Sequence, residues 1–192
     1  MFTITNSSKL TLLIAVVILI GGFILWNQEH QRAKQMKSGL QGMLGSAIYQ
    51  LWSNYNEIAK YPPEEINQER LNQINENLIR ISAYSYLVDQ KEGTNLMVPI
   101  ARDLTTITEY LNKQLQLNSS LTSDDQDVYR YMLQVISDIH PQIGSVYYIP
   151  DQLEGPIVAL KPNRSAVKKM VVSRDRLKEY ASRLKTKSAA AA

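Results

Sequence analysis

The first long apolar segment of the chain lies close to its amino terminus. Residues 10–26 read LTLLIAVVILIGGFILW without a charge, and they lie between Lys9 and the polar residues 27–29. A helix needs about 20 apolar residues to cross the hydrocarbon core of a membrane, and the uncharged segment extends to residue 28. The sequence predicts a transmembrane anchor over residues 10–28 that follows a short tail, residues 1–9. The apolar run begins at Leu10 and ends at an interfacial Trp26.

A cleaved secretory signal is the alternative interpretation of this segment, because it also combines a basic start with an apolar run. The apolar region of such a signal is only about 7 to 15 residues long and is followed by a small-x-small cleavage site. Residues 24–29 read ILWNQE and offer no such site. The pattern therefore favours an anchor that stays attached to the mature protein.

Two opposing features predict the side of the membrane on which the rest of the chain lies. Lys9 precedes the span, whereas Arg32, Lys34 and Lys37 follow it, and this excess of cations favours the inner side. Residues 54–157 are rich in Asn, Gln, Ser, Thr and Tyr, which is typical of bacterial envelope proteins, and long domains translocate largely regardless of flanking charge. We predict a single-pass protein of the cell membrane with an extracytoplasmic helical domain.

Beyond the anchor, apolar residues recur at steps of three and four, the spacing of one face of a helix. Four such stretches follow one another, and the second has the seam of a helical bundle or coiled coil. The first covers residues 27–61, the second runs from the Pro62–Pro63 pair to the Glu92–Gly93 break, and the third runs from Pro99 to residue 118. The fourth begins at a capping box of Ser123 and Gln126. Pro141 should kink or end this fourth helix. Short links favour antiparallel packing. We predict an all-α fold, with an N-terminal transmembrane helix followed by an elongated antiparallel bundle of four to five helices and the bundle domain at residues 29–148.

A strip of small residues runs along the first of these helices. Ser38, Gly42 and Ser46 recur every fourth residue, with Gly39 and Gly45 beside them. Small side chains let a second helix approach closely, so the strip predicts close helix packing. Glycine also costs about 1 kcal/mol within a helix. A flexible joint below the membrane is therefore the alternative, and the sequence leaves both open.

The last part of the chain differs in composition from the bundle. Residues 149–164 contain three prolines and one glycine and predict an extended connection, with a short strand at residues 157–160 as one conformation for it. Residues 165–192 predict a basic amphipathic helix that ends near Lys187, followed by a frayed alanine tail. This helix is either appended to the bundle or completes it.

Positive charge is concentrated in this last helix. The net charge of the chain is +3, but residues 161–187 contain ten Lys or Arg against two acids, a local balance of +8. A basic amphipathic helix is typical of elements that bind membrane surfaces or polyanions, and each cation contributes about 1 kcal/mol near an anionic membrane. A solvated helix face is the alternative, and nucleic acid is disfavoured because only Tyr180 could stack on bases. The predicted lipid or polyanion surface consists of Lys168, Lys169, Arg174, Arg176, Lys178 and Arg183.

Candidate catalytic groups are sparse in this sequence. Its two histidines, His30 and His140, are far apart, and the lack of cysteine excludes disulfides, thiolate zinc sites and cysteine nucleophiles. No HExxH motif, phosphate-binding loop or dinucleotide-binding glycine motif occurs. The acids Asp124, Asp125 and Asp127 lack the glycine and distal Glu of a calcium loop, so helix capping explains them. We predict no catalytic, cofactor-binding or metal-binding residue and expect no cofactor.

Tyrosine is common in this chain, with eleven Tyr against two Phe. A tyrosine side chain combines a large apolar body with a polar tip, so it suits half-buried packing and also a surface for a partner or ligand. The sequence leaves both alternatives open for its close pairs, which are Tyr84 with Tyr86, Tyr129 with Tyr131, and Tyr147 with Tyr148.

Together these features predict a non-enzymatic single-pass membrane protein. Its helical domain would bind a protein partner or a second copy of itself, or scaffold a cell-envelope complex. The alternative is a membrane-anchored sensor or ligand-binding module, in which a small molecule enters between the helices near the tyrosine pairs. A sensor of that kind usually returns through a second span, and this chain has no second apolar run of that length. A membrane-tethered hydrolase would need acids or tyrosines that converge from different helices, which a sequence does not display.

Overall fold

The structure, a computed structural model, describes residues 6–147 and 163–190, without the side chains of residues 6–18 and of a few other positions. The described residues form five α-helices and one short 3₁₀ helix, and no β-strand occurs among them. The prediction of an all-α fold is confirmed. In chain order the elements are α1 (Asn6–Ala59), the 3₁₀ helix (Pro63–Glu65), α2 (Gln68–Glu92), α3 (Met97–Asn118), α4 (Ser123–Tyr147) and α5 (Arg164–Ala190).

The chain divides into two compact units, residues 1–41 and residues 42–192. The first unit is described from residue 6 onward and consists of the amino-terminal part of α1. Among the residues that the structure describes, no helix is apolar over a length that could cross a membrane. The transmembrane helix at residues 10–28 therefore stays a prediction, and the side chains of residues 10–18 lie outside the description.

Local sequence signals set the ends of the first two helices. α1 ends at Ala59, shortly before the Pro62–Pro63 pair, because the residue before a proline disfavours the α conformation. Asn67 caps α2, and its side-chain oxygen accepts a hydrogen bond from the Arg70 backbone N–H at 3.0 Å. Gly93 ends α2 in the left-handed conformation, with φ at 63°, which glycine adopts without steric cost. The breaks predicted at the proline pair and at Gly93 are confirmed.

The amino-terminal cap of α4 is Thr122, so the capping box predicted at Ser123 and Gln126 is wrong by one residue. The Thr122 carbonyl accepts the first helical hydrogen bond from the Gln126 N–H at 2.9 Å. The Thr122 N–H donates to the Asp125 carboxylate at 3.0 Å, and the Asp125 N–H donates to the Thr122 hydroxyl at 3.3 Å. Asp125 is buried and also accepts a hydrogen bond from the Tyr110 hydroxyl of α3 at 3.2 Å. This contact between helices favours Asp125 as the capping acid.

Pro141 lies inside α4, which continues to Tyr147. A proline lacks the N–H that would bond the carbonyl four residues earlier, in this helix that of Ser137. Ser137 and Pro141 are both exposed, so water can satisfy that carbonyl and the helix can continue. Of the two outcomes predicted for Pro141, ending the helix is wrong.

The second unit holds one apolar core to which all five α-helices contribute, α1 through its residues from Leu44 onward. α3 packs against α2 and α5, and α4 packs against α3 and α5. α2 and α3 are antiparallel, because Gln68 at the start of α2 donates a hydrogen bond to Asn112 near the end of α3 at 3.0 Å. The completely buried side chains of this core include Leu51, Ile58, Leu71, Ile74, Leu78, Leu104, Ile107, Met132, Ile136 and Leu177.

α5 completes the bundle and is not merely appended to it. Asn163 caps the helix, and its side-chain oxygen accepts hydrogen bonds from the backbone N–H groups of Ser165 at 3.0 Å and Ala166 at 3.3 Å. The apolar stripe predicted for this helix faces α3 and α4 and is buried against them. Of the predicted stripe, Met170, Leu177, Ala181 and Leu184 are buried, whereas Val167 and Val171 are partly buried. Ala166, which was not part of the prediction, is buried as well.

The structure describes only part of two features that were predicted for the last part of the chain, the extended connection and the alanine tail. The extended connection at residues 149–164, with its short strand at residues 157–160, lies outside the described residues except for Asn163 and Arg164. The alanine tail is helical as far as Ala190, and residues 191–192 lie outside the description. Alanine has the highest helix propensity of all residues, which explains why α5 passes the end predicted near Lys187.

Candidate functional site

The six cations predicted to form one surface on α5 lie in two groups on opposite sides of its buried stripe. Residues seven apart return to nearly the same side of a helix, which places Lys169, Arg176 and Arg183 together. Arg176 and Arg183 act electrostatically on Tyr131 of α4, so this group lies on the side of α4. Arg174 and Lys178 line a groove against the first turns of α3. Lys168 is exposed and lies between the two groups.

Two members of the group on the side of α4, Arg176 and Arg183, lie near a pair of stacked tyrosine rings. The ring centroids of Tyr131 and Tyr180 are 3.9 Å apart, and the guanidinium of Arg183 lies 5.6 Å from the centroid of Tyr180. Burial is the main cause that raises the pKa of both phenols, while Arg183 acts in the opposite direction on each. Both hydroxyls therefore stay protonated at neutral pH, and the stack holds α5 against α4.

The second group forms a concave site with α3, which we call the cationic pocket and define by Arg102, Arg174 and Lys178. It has a volume of about 390 Å³ and lies beside the connection between α2 and α3. Arg174 donates to the Asn95 carbonyl at 3.2 Å and, through Nε and Nη2, to Asp175 at 3.0 and 2.9 Å. Two of the three cations thus come from α5 and one from α3.

Sequence reasoning selected Arg174 and Lys178 as part of a basic helix but missed Arg102. Arg102 lies on the outer side of α3, and its Nε donates to Asp103 at 3.1 Å. Nothing in the sequence around Arg102 indicates that α5 lies beside it, because that contact joins residues far apart in the chain. The packing of α5 against α3 is the observation that brings the three cations together.

The residues predicted at the ends of the anchor are described only in part. The side chain of Leu10 lies outside the description, whereas Trp26 is 62% exposed. The indole of Trp26 stacks on the imidazole of His30 with the centroids 5.7 Å apart, and the ring of Phe23 lies 6.2 Å from it. These rings form an aromatic group at the polar end of the predicted span.

The strip of small residues on α1 stays a prediction as a site of close helix packing. α1 is helical throughout the strip, and the boundary between the two units falls between Gln41 and Gly42. Gly42 and Ser46 are exposed, and among the described residues a Cβ added at Gly42 would meet nothing within 4 Å beyond its chain neighbours and the backbone of its own helix. The side chain of Ser38 lies outside the description.

Within the described residues, the two members of each pair, Tyr84 with Tyr86 and Tyr129 with Tyr131, do not share a surface, because side chains two residues apart on a helix point in different directions. Tyr129 is buried, and its hydroxyl donates to the Tyr61 carbonyl at 2.9 Å beyond the end of α1, while Tyr131 stacks on α5. Tyr86 is 63% exposed and Tyr84 is partly buried. Tyr148 and the side chain of Tyr147 lie outside the description.

The three acids near the start of α4 point to different partners. The Asp125 carboxylate accepts from the N–H of the cap residue Thr122, Asp127 accepts from Arg130 at 2.5 Å, and Asp124 is exposed. Within the described residues, no group of three or more His, Cys, Asp or Glu side chains is arranged to hold a metal ion. The helix-capping explanation of these acids is confirmed for Asp125.

His140 of α4 lies beside Trp52 of α1, a contact that the sequence did not reveal. The ring centroids are 4.8 Å apart, and Nε2 of His140 is buried without a hydrogen-bond partner among the described residues. Burial lowers the pKa of His140, against a hydrogen bond with the Trp52 backbone that raises it. Tyr49 also stacks on Trp52, with the ring centroids 6.2 Å apart. The imidazole therefore acts here as a neutral packing group.

The described structure defines the class of this protein as an all-helical bundle with a long first helix. Comparison of the chain with protein families, with curated proteins and with solved structures found no match in any of the three. The function of the molecule has to follow from its own residues and their arrangement.

Proposed function

We propose that this chain is a non-enzymatic, single-pass membrane protein whose helical bundle binds a protein partner or scaffolds a cell-envelope complex. The observation that carries the proposal is the uncharged apolar run at residues 10–26, which is part of the uninterrupted helix α1. A helix in contact with water keeps its apolar side chains on one side. The apolar side chains between residues 19 and 26 point in all directions around α1 and are exposed: Leu19, Ile20, Phe23, Ile24, Leu25 and Trp26. Lipid tails suit such a surface.

The partner-binding part of the proposal is supported by aromatic side chains on the outside of the bundle. Tyr49 and Tyr86 are more than 60% exposed, and Trp52 is 38% exposed. Tyrosine and tryptophan are enriched in protein interfaces, because they bury a large apolar area and keep a polar tip for hydrogen bonds. The composition of residues 54–157 favours an extracytoplasmic position for this domain.

The anchor is tested by two charges placed at the centre of the run. We expect Leu19→Arg combined with Ile20→Arg to release the chain from the membrane fraction, because each Arg at the middle of a span costs about 2.5–3.5 kcal/mol. The wild-type chain should stay in the membrane pellet after an alkaline carbonate wash. The matched control, Ala33→Arg with Met36→Arg, places the same charges on exposed positions of the same helix, and it should stay in the pellet.

The wild-type chain appearing in the carbonate supernatant would contradict the anchor. Equal release of both double variants would also contradict it, because added charge alone would then explain the effect. Far-UV circular dichroism of each released chain checks that the bundle is folded.

The side of the membrane is tested through the lack of cysteine, which removes any background labelling. Ser120→Cys places a thiol in the exposed connection between α3 and α4, and Ser8→Cys places one before the predicted span. In intact cells a membrane-impermeant maleimide should label Ser120→Cys and leave Ser8→Cys unlabelled. Both should react once detergent opens the membrane. The reverse pattern in intact cells would put the bundle on the inner side.

A further inference from the structure

Three cations from two helices converge at the cationic pocket. Arg102 lies in the second turn of α3, whereas Arg174 and Lys178 lie one turn apart on α5. Asn95 of the α2–α3 connection and Pro99 of α3 also line the pocket. A concave site lined by one sign of charge concentrates the electrostatic potential more than the same charges on a convex surface.

Each arginine of the pocket is oriented by the acid that follows it in the chain. Nε of Arg102 donates to Asp103, whose side chain is only 7% exposed, and Arg174 donates to Asp175. Arg174 is also fixed by the Asn95 carbonyl, and its side chain is 27% exposed. A guanidinium that is already held in place loses less conformational freedom when it binds a ligand.

Donors remain on both arginines after these contacts. A guanidinium carries five N–H donors. Among the described residues Arg102 uses only its Nε–H, and Arg174 uses its Nε–H and one N–H from each terminal nitrogen. Both terminal nitrogens of Arg102 and one N–H on each terminal nitrogen of Arg174 therefore stay available for charge-assisted hydrogen bonds with an oxyanion, and the ammonium of Lys178 adds a point charge.

The main chain of α3 does not supply further donors to the pocket. The carboxylate of Asp89 already accepts the N–H groups of Leu96, Met97 and Val98 at 2.8 to 3.2 Å. Pro99 has no N–H. An anion in the pocket would be held by side chains, so its binding should depend on the arginines and on Lys178.

We propose that the cationic pocket binds a phosphate monoester group, carried by a small soluble molecule or by a lipid headgroup. Arg102, Arg174 and Lys178 outnumber the two acids paired with them, Asp103 and Asp175, by one, so the pocket has a net positive charge that attracts a phosphate monoester, which carries about −1.5 to −2 near pH 7. The three terminal oxygens of a phosphate monoester can accept from both arginines and from Lys178 at once, whereas a carboxylate has only two oxygens. This inference goes beyond the proposed membrane function and does not depend on it.

The test uses the full chain in a non-ionic detergent, with inorganic phosphate as the probe and chloride keeping the ionic strength constant. Phosphate should raise the Tm of the wild-type chain in a saturable manner, because a ligand stabilises the folded state that binds it. Arg174→Gln with Lys178→Gln should raise the Kd for phosphate by about tenfold or more. Arg102 is left in place, because its removal would leave both oxygens of buried Asp103 without a partner.

The control variant is Lys169→Gln with Arg176→Gln, which removes the same charge from the other side of α5. It should bind phosphate as the wild-type chain does. An equal response of all three proteins would overturn the proposal, because general screening would explain it. No saturable response of the wild-type chain would overturn it as well.

Two further arms separate the sources of the phosphate group. Glycerol phosphate should reproduce the effect of inorganic phosphate if the ligand is a soluble ester. In lipid nanodiscs, phosphatidic acid added to phosphatidylcholine should weaken the binding of glycerol phosphate if a headgroup occupies the pocket. The variant Arg174→Gln with Lys178→Gln should show neither the rise in Tm with glycerol phosphate nor the competition by phosphatidic acid. If this variant kept both responses, the result would contradict binding at the cationic pocket.

Discussion

Asp89→Ala should lower the free energy of unfolding of the bundle by about 2–4 kcal/mol. The Asp89 carboxylate is buried near the end of α2 and accepts the N–H groups of Leu96, Met97 and Val98. It also accepts the Thr94 hydroxyl at 2.6 Å. Leu96 precedes α3 and has no capping side chain of its own, so Asp89 satisfies the start of α3 from the preceding helix. Its removal would leave buried N–H groups without partners.

The measurement is chemical unfolding of the full chain in non-ionic detergent, followed by far-UV circular dichroism. Asp89→Asn should fall between the wild type and Asp89→Ala, because an amide keeps one acceptor oxygen and loses the charge. The matched control is Asp138→Ala, an exposed acid on α4 that should change stability by no more than about 0.5 kcal/mol. A change of that small size at Asp89 would contradict the capping role.

The contrast between Gly93 and Asp89 shows which parts of the fold could be predicted from the sequence. Gly93 and the Pro62–Pro63 pair act on the backbone next to them, so their effect on the helix ends is visible locally. Asp89 acts on N–H groups seven to nine residues ahead, across a turn whose geometry the sequence does not display. The cap of α4 is Thr122 rather than the predicted Ser123, and this difference also involves a contact between helices. The Tyr110 hydroxyl of α3 donates to Asp125, the acid that pairs with Thr122, and the sequence does not display that contact.

The candidate site could be predicted only in part, because it depends on contacts between helices that are far apart in the chain. Helical periodicity identified the apolar stripe of α5 and the cations beside it, among them Arg174 and Lys178. Periodicity describes one helix at a time, so it could not show that the cations would be divided between α3 and α4. Arg102 belongs to the cationic pocket only because α5 packs against α3, and that packing depends on the whole core.

Burial of the apolar stripe also changes how the basic helix can meet a membrane. An amphipathic helix that binds a membrane by itself inserts its apolar side into the lipid. In α5 the apolar side is covered by the other helices of the bundle. Within the described part of α5, Val172 is the one large hydrophobic residue that is exposed, at 50%. Contact between α5 and anionic lipid would therefore rest on the cations alone as long as the bundle stays folded.

Leu177→Ala should destabilise the bundle by about 2–4 kcal/mol if α5 is an integral part of the core. Leu177 is completely buried in the middle of α5, and the shorter side chain would leave a cavity between helices that can close only partly. Val172→Ala on the exposed side of the same helix is the matched control, with an expected change within about 0.5 kcal/mol. Unfolding is measured as for Asp89→Ala.

The same pair of variants distinguishes an integral α5 from one that detaches. If α5 separated from the bundle before the rest unfolded, Leu177→Ala would leave the main unfolding transition unchanged and would instead expose the amides of α5 to rapid hydrogen exchange. An integral helix requires the main transition itself to shift. Since Arg174 and Lys178 reach Arg102 only while α5 is docked, a shifted main transition would also mean that the cationic pocket exists for as long as the bundle is folded.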